Sequence, residues 1–290
     1  MQVLFDLFLK EKLYLCNLSP KTIESYKQAF NSYKRVLGGE RIGSSKAEDL
    51  PTKHALTEFV IGLRQTMSAG GANVYIRSMN SFLSWLYENE HTSEHLRIKP
   101  LKVETKIRKS FDFAHLQAIV RFKAQSFTQH RIHALLCLLI DTGVRIDEAL
   151  TLKTSAVDFD NCLVTVRGKG NKERIIPFSF ELRKVLFKFI RRHNQKFLFP
   201  VRDGGHLEYH NARRDFLRLM SKLGIKGFDG AFHASRRLFA RNYLRRGGNL
   251  FYLKTVMGHT DIKTTEKYLD VQTEALQEVH SRVSVLENIH

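Results

Sequence analysis

Apolar positions recur at helical spacing along most of this chain, and the polar positions between them are predominantly basic. Ser19-Pro20 reads as an N-cap followed by proline at the first helical position, after which Ile23, Phe30, Tyr33 and Leu37 fall on one face while Lys21, Lys27, Lys34 and Arg35 can face outward. Val74, Ile76, Met79, Phe82, Leu83 and Leu86 form a second stripe with Arg77 off it, ending at Trp85-Leu86-Tyr87. Such stripes predict the core of a helical bundle.

Further on, the pattern mixes. The apolar run ALLCLLI (134–140) breaks at Thr142-Gly143, presents Arg145, and resumes as a helix behind Asp147-Glu148, acids suited to a helix start. Cys162–Val166 and Arg174–Pro177 are β-rich runs flanking GKGNK (168–172), the pattern of a β-hairpin with Lys169 at its tip. Helical spacing returns over 181–193, 211–223 and 232–244. A short helix capped by Asn249, a Gly258-His259 turn and a second helix carrying Tyr268 follow. The fold class expected is mainly α with a small antiparallel β-sheet. A helical domain over 1–92 precedes a mixed α/β domain over 109–290, joined by a basic connector, 93–108, whose periodicity is weak.

Composition narrows the partner. Lys and Arg number 47 against 29 Asp and Glu, a net charge of +18 that points to a polyanion, nucleic acid first. A membrane is the rival, but no apolar stretch approaches the ~20 residues of a span, and Asp6 and Lys10 interrupt MQVLFDLFLKEK as a signal peptide, so a cytoplasmic protein is expected. Cys16, Cys137 and Cys162 stand among apolar neighbours and read as small core residues. The pairs His91/His95 and His130/His133 lack a Cys or acidic cluster at ligand spacing and read as solvated helix residues, so no metal is implied.

The candidate chemistry is that of phosphate. Arginine belongs where a planar, permanently charged fork meets an oxyanion, although Arg145 taken alone also suits a surface turn. Lys169, between two glycines, is free to approach a phosphate or simply to be solvated. His233 and Arg236, three apart, share one helix face. His259 and Tyr268 complete a set of two arginines, two histidines, a lysine and a tyrosine.

In this order the residues resemble the tyrosine recombinases, the phage-integrase-type site-specific recombinases: Arg145 in TGVRIDEAL, Lys169 in GKGNKER, His233 and Arg236 in HASR, His259 in GH, and Tyr268 nine residues later. The N-terminal part is similar to the family's helical, SAM-like core-binding domain in SPKTIESY (19–26) and FLSWL (82–86). The layout is nearest the compact Xer-like enzymes, with no additional arm-binding domain expected.

The resemblance implies a DNA recombinase acting on double-stranded DNA at a specific site, through a covalent 3′-phosphotyrosyl intermediate and a Holliday junction, in integration and excision, transposition or dimer resolution. It implies Tyr268 as nucleophile, Arg145 and Arg236 gripping the nonbridging oxygens with His233 and His259, and neither metal nor cofactor. Lys169 would be the general acid for the leaving 5′-oxygen, with Lys172 its substitute, and Glu148 would buttress a basic side chain of the site. Lys21, Lys27, Lys34, Arg77, Lys172 and Arg237 are further candidates for DNA contact.

Ser235 and Arg237 flank Arg236 where the family commonly has leucine and histidine, which leaves Arg236 and Arg237 both open, with the spacing to His259 and Tyr268 favouring Arg236. Met257 replaces the usual leucine. Leu276, Val279, Val283, Leu286 and Ile289 line a C-terminal stripe that packs in cis or docks on a neighbouring protomer. A homo-oligomer, tetrameric on two duplexes, is expected, with an accessory protein as a further partner. A type IB topoisomerase-like enzyme and a catalytically inactive DNA-binding relative are the other classes compatible with these motifs.

Overall fold

The computed structural model describes residues 1–38, 50–104, 109–168 and 172–269, and the chain separates into two compact units, Met1–Lys106 and Ile107–His290. In the first unit, α1 (Gln2–Tyr14), α2 (Pro20–Gly38), α3 (Lys53–Thr66) and α4 (Ala69–Glu88) pack together. Short polar side chains start the later helices: the Ser19, Thr52 and Ser68 hydroxyls accept backbone N–H groups of Thr22, Ala55 and Gly71. The core is aromatic. Phe5 stacks on Phe30 with ring centroids 3.8 Å apart, and Phe82 meets Phe5 edge-on at 5.1 Å.

Ile23, Phe30, Tyr33, Ile76, Met79, Phe82, Leu83 and Leu86 are buried as their spacing predicts, but Val74 is 44% exposed. Two residues before Ile76 lies about 200° round the helix axis, on the opposite face. Cys16 is exposed as well, because α1 ends at Tyr14 and leaves it in the turn beyond. The stretch read as a connector is tied to α4 as far as Leu101. Asn80 exchanges two hydrogen bonds with the backbone of Ile98 (2.9 and 2.8 Å), and Asn73 does the same with Leu101 (2.9 and 2.8 Å), while Leu96 and Ile98 join the core. Residues 105–108 lie outside the described residues.

In the second unit α5 (Phe113–Val120) precedes α6 (Phe127–Thr142), whose Ala134, Leu135, Leu136, Leu138 and Leu139 are all buried. A helix apolar nearly all round belongs inside; α6 packs against α8 (Phe180–Ile190), α9 (Tyr209–Lys222) and α10 (Ala231–Arg245). It stops at Gly143, which holds φ +64° in the left-handed region, and α7 (Ile146–Leu150) begins after Arg145. The strands β1 (Val157–Asp158), β2 (Leu163–Arg167) and β3 (Glu173–Pro177) form an antiparallel sheet in that order. Val164 pairs with Ile176 and Val166 with Arg174. Val164, Val166 and Ile176 are buried, so Arg174 occupies an inward position of β3.

Beyond α10 come α11 (Leu250–Met257) and α12 (Lys263–Glu266). Tyr268 sits just past α12 in a turn, not within a helix, its N–H bonded to the Thr265 carbonyl at 3.0 Å. His133 also departs from expectation: it is half-buried against α5 and its Nε2 lies 2.9 Å from the Ile119 carbonyl. His91 and His95 follow α4 in irregular structure, against the rings of Trp85 and Tyr87. Among the described residues, no group of three His, Cys, Asp or Glu could hold a metal ion, and no helix is long and apolar enough to cross a membrane. The hairpin tip with Lys169 and the C-terminal stripe from Leu276 to Ile289 lie outside the described residues.

Candidate active site

One carboxylate organises the site. Glu148, 7% exposed on α7, accepts the Arg145 N–H at 2.8 Å and an Arg145 guanidinium bond at 3.1 Å, so one acid both caps its own helix and holds the neighbouring arginine. From β3, Arg174 adds two bonds to the same carboxylate at 2.9 and 2.8 Å and a third to the Val256 carbonyl at 2.8 Å. Burial pushes the Glu148 pKa up, but the hydrogen bonds from Arg174 and Arg145 outweigh it and hold the carboxyl below its ordinary value.

Arg145 reaches on to the Gly258 carbonyl at 2.7 Å, and its side chain stays 40% exposed. Gly258 has φ +62°, and a Cβ there would stand 3.0 Å from Arg174 and 3.1 Å from Arg145. The turn is therefore glycine both for its backbone and for the two guanidinium groups pressed against it.

The second fork comes from α10. Arg236, 7% exposed, donates to the carbonyls of Gly143 and Met257, and its Nη2 lies 3.0 Å from His259 Nε2. Burial, and next the charge of Arg145, bring its pKa down to about 10, so it remains a cation at neutral pH. On the far side of the ring, His259 Nδ1 is 2.8 Å from Thr265 Oγ1. Burial and the Arg236 charge lower the His259 pKa to about 4, which makes it a neutral imidazole over the physiological range. Its ring lies nearly parallel to that of Tyr268, centroids 6.4 Å apart, and Tyr268 packs beside Ala240, Leu253 and Met257.

Three guanidinium groups thus meet one carboxylate and a neutral histidine beside a partly exposed tyrosine. Such a pocket holds spare positive charge and donors of fixed geometry for a tetrahedral oxyanion.

Residues 109–275 match the Phage integrase family. The chain belongs to the phage integrase family. Tyrosine recombinase XerD of Brucella abortus (strain 9-941) is 33% identical over 159 residues, 52% of each chain, so the match spans about half the length of that relative. Tyrosine recombinase XerA of Saccharolobus solfataricus is 31% identical over 219 residues, 72% of this chain and 68% of that one. Among solved structures, the Tn1549 transposon integrase in complex with a circular intermediate DNA shares the fold with a TM-score of 0.76 at 19% identity, over 97% of this chain and 99% of that chain.

The structure brings Arg145, Glu148, Arg236, His259 and Tyr268 together. Of the two adjacent arginines, Arg236 faces the site. Arg237 is turned to the Lys109 and Asp229 carbonyls, where it ties the start of the unit to α10. His233 is exposed on α10 one turn before Arg236. Lys172 is exposed at the hairpin neck, its carbonyl accepting the Gly168 N–H at 2.9 Å. In the first unit, Lys21, Lys27 and Arg77 are exposed, and Lys34 donates to Gln2 at 2.9 Å above the Phe30 ring.

Two members escaped the reading of the sequence. Arg174 was signalled by alternation, since it stands between outward Glu173 and Ile175 on a strand whose inward neighbours are apolar. Thr265 carried no signal beyond lying three residues before Tyr268.

Proposed function

We propose that this protein is a site-specific DNA recombinase that cuts one strand of a duplex by attack of Tyr268 on a phosphodiester. The observation that carries the reading is the convergence of Arg145, Arg236 and neutral His259 beside Tyr268, braced by Glu148 and Arg174. The phenolic oxygen gives its proton to water and forms a bond to phosphorus as the bond to the 5′-oxygen breaks, and the leaving oxygen takes up a proton. Arg145 and Arg236 stabilise the negative charge that grows on the nonbridging oxygens, with His233 as a further donor. Lys169 supplies the proton to the leaving group, with Lys172 as substitute. The 3′-phosphotyrosyl bond keeps the phosphoester available, so a second strand's 5′-hydroxyl reverses the step and builds a Holliday junction.

A DNA substrate accords with the net charge of +18 and with α9, which presents Arg213, Arg214, Arg218 and Lys222 to solvent while its acid, Asp215, is buried against Arg131. Lys21, Lys27 and Arg77 add phosphate contacts from the first unit. Exchange between two duplexes calls for four nucleophiles, hence a tetramer on DNA with the C-terminal stripe docked on a neighbouring protomer. The substrate places the protein in the cytoplasm with the chromosome.

The test uses nicked suicide duplexes cut from DNA flanking the gene, incubated in EDTA with wild type and with Tyr268→Phe. An SDS-resistant protein–DNA adduct formed by wild type alone is expected. An adduct that persists in Tyr268→Phe would overturn the assignment.

A further inference from the structure

Thr265 is fully buried, and its polar groups are used in two directions. Its hydroxyl lies 2.8 Å from His259 Nδ1, and its backbone carbonyl accepts the Tyr268 N–H at 3.0 Å. Across the imidazole, Nε2 meets Arg236 Nη2 at 3.0 Å. A guanidinium has donors and no acceptor, so Nε2 must offer its lone pair there. The neutral ring then carries its hydrogen on Nδ1, and that hydrogen has the Thr265 oxygen to donate to. The other tautomer would set two donors against each other at Arg236 and leave Nδ1 as an acceptor. Only the Nδ1–H form, with the Thr265 hydroxyl as its acceptor, makes both contacts with neutral histidine.

We propose that Thr265 is a positioning residue for strand cleavage, one that locks His259 as the Nδ1–H tautomer and ties the Arg236 guanidinium to the backbone of Tyr268. The proposal rests on the reading of Tyr268 as the nucleophile. The sequence of contacts is continuous: Arg236 to His259, His259 to the Thr265 side chain, the Thr265 carbonyl to the Tyr268 N–H. Removing the hydroxyl cuts this line in the middle. The buried Nδ1–H is left without an acceptor, and the ring can rotate or exchange tautomers, either of which takes the His259 contact from Arg236 and leaves its orientation toward the phosphate to the Gly143 and Met257 carbonyls. Thr265 touches neither DNA nor the reacting atoms in this scheme; it acts through His259.

Thr265→Val keeps the branched shape and deletes the hydroxyl, Thr265→Ser restores the hydroxyl, and Thr265→Ala removes the hydroxyl without placing a methyl against Nδ1. The full chain, labelled with ¹⁵N-histidine, is read by multiple-bond ¹⁵N–¹H spectra, with His259→Gln assigning the signal. Wild type and Thr265→Ser should show Nδ1 protonated at His259; Thr265→Val and Thr265→Ala should lose that signature.

Adduct formation on the suicide duplex should fall roughly 10- to 100-fold in Val and Ala and stay within about threefold of wild type in Ser, as expected when a reacting geometry is loosened. Duplex affinity should be unchanged in all. A Val or Ala variant that retains the Nδ1–H signature, or that cleaves at the wild-type rate, overturns the proposal. Failure of the underlying reading looks different: wild type forms no adduct while its His259 tautomer is intact, which removes the role in cleavage and leaves the hydrogen bond established.

Discussion

Replacing Arg174 by methionine tests how the site is held together. In the folded protein Arg174 gives Glu148 two hydrogen bonds, at 2.9 and 2.8 Å, and the Val256 carbonyl a third at 2.8 Å. Glu148 is buried and Arg174 nearly so, with side chains 5% and 12% exposed. Breaking a buried ion pair by removing one member costs about 3–5 kcal/mol, because the other charge is left without compensation. Glu148 keeps the Arg145 N–H at 2.8 Å and its guanidinium at 3.1 Å, which places the loss at the lower end, about 3 kcal/mol. In a unit of this size that corresponds to a fall in Tm of roughly 6–12 °C.

The pH dependence carries a sign that can be checked. Glu148 has a pKa below its ordinary value in the folded protein, so its contribution is present above about pH 4.3 and is lost as pH falls through the folded value. Without Arg174 two of the causes that lower the pKa are gone, so it rises. The gap between wild type and Arg174→Met should therefore be widest at neutral pH and close on acidification. Adding Glu148→Gln to Arg174→Met should recover part of the loss at pH 7. Thermal melts of the full chain across pH decide the matter: a variant that melts within about 1 °C of wild type at neutral pH would refute the reasoning.

Gly258→Ala should lower adduct formation by roughly 100-fold while leaving the first unit unaffected, because its Cβ would force the Arg174 and Arg145 guanidinium groups, at 3.0 and 3.1 Å, out of place; cleavage kinetics and limited proteolysis of the first unit report the two effects. For His259, whose folded pKa of about 4 lies below the ordinary 6.5, the unfolded chain takes up the proton first on acidification, so the folded state loses stability between these values. His259→Gln should flatten that slope without changing the trend above pH 6.5, as melting curves would show. Asn80→Ala removes both bonds that tie Ile98 to α4 and should cost about 2 kcal/mol. Trypsin cleavage at Arg97 should accelerate accordingly.

What the sequence revealed of this molecule, and what it hid, follows from the range of each signal. Helical stripes and caps are local, so α2, α4 and the break at Gly143 are visible in it, as is the pairing of β2 with β3. The order of Arg145, Arg236, His259 and Tyr268 is equally plain, while burial separates Arg236 from Arg237: one is turned to His259, the other to the Lys109 carbonyl. Long-range hydrogen bonds leave no periodic trace. That Asn73 and Asn80 would hold the stretch up to Leu101, that Arg174 would share Glu148 with Arg145, and that Thr265 would meet His259 depended on contacts between distant elements. The sequence places Tyr268 on a helix, but α12 ends at Glu266 and the tyrosine is held by a turn instead.

The proposed covalent bond between Tyr268 and DNA can be read chemically. Adduct formed on a suicide duplex, trimmed with nuclease and digested with trypsin, should yield the peptide that begins at Tyr268, after Lys267, carrying a nucleotide through its 3′-phosphate on the tyrosine oxygen. Mass spectrometry that places the nucleotide on Tyr268, with a free 5′-hydroxyl on the released strand, is the result predicted. A nucleotide on any other residue, or a 5′-phosphate linkage, would contradict the account.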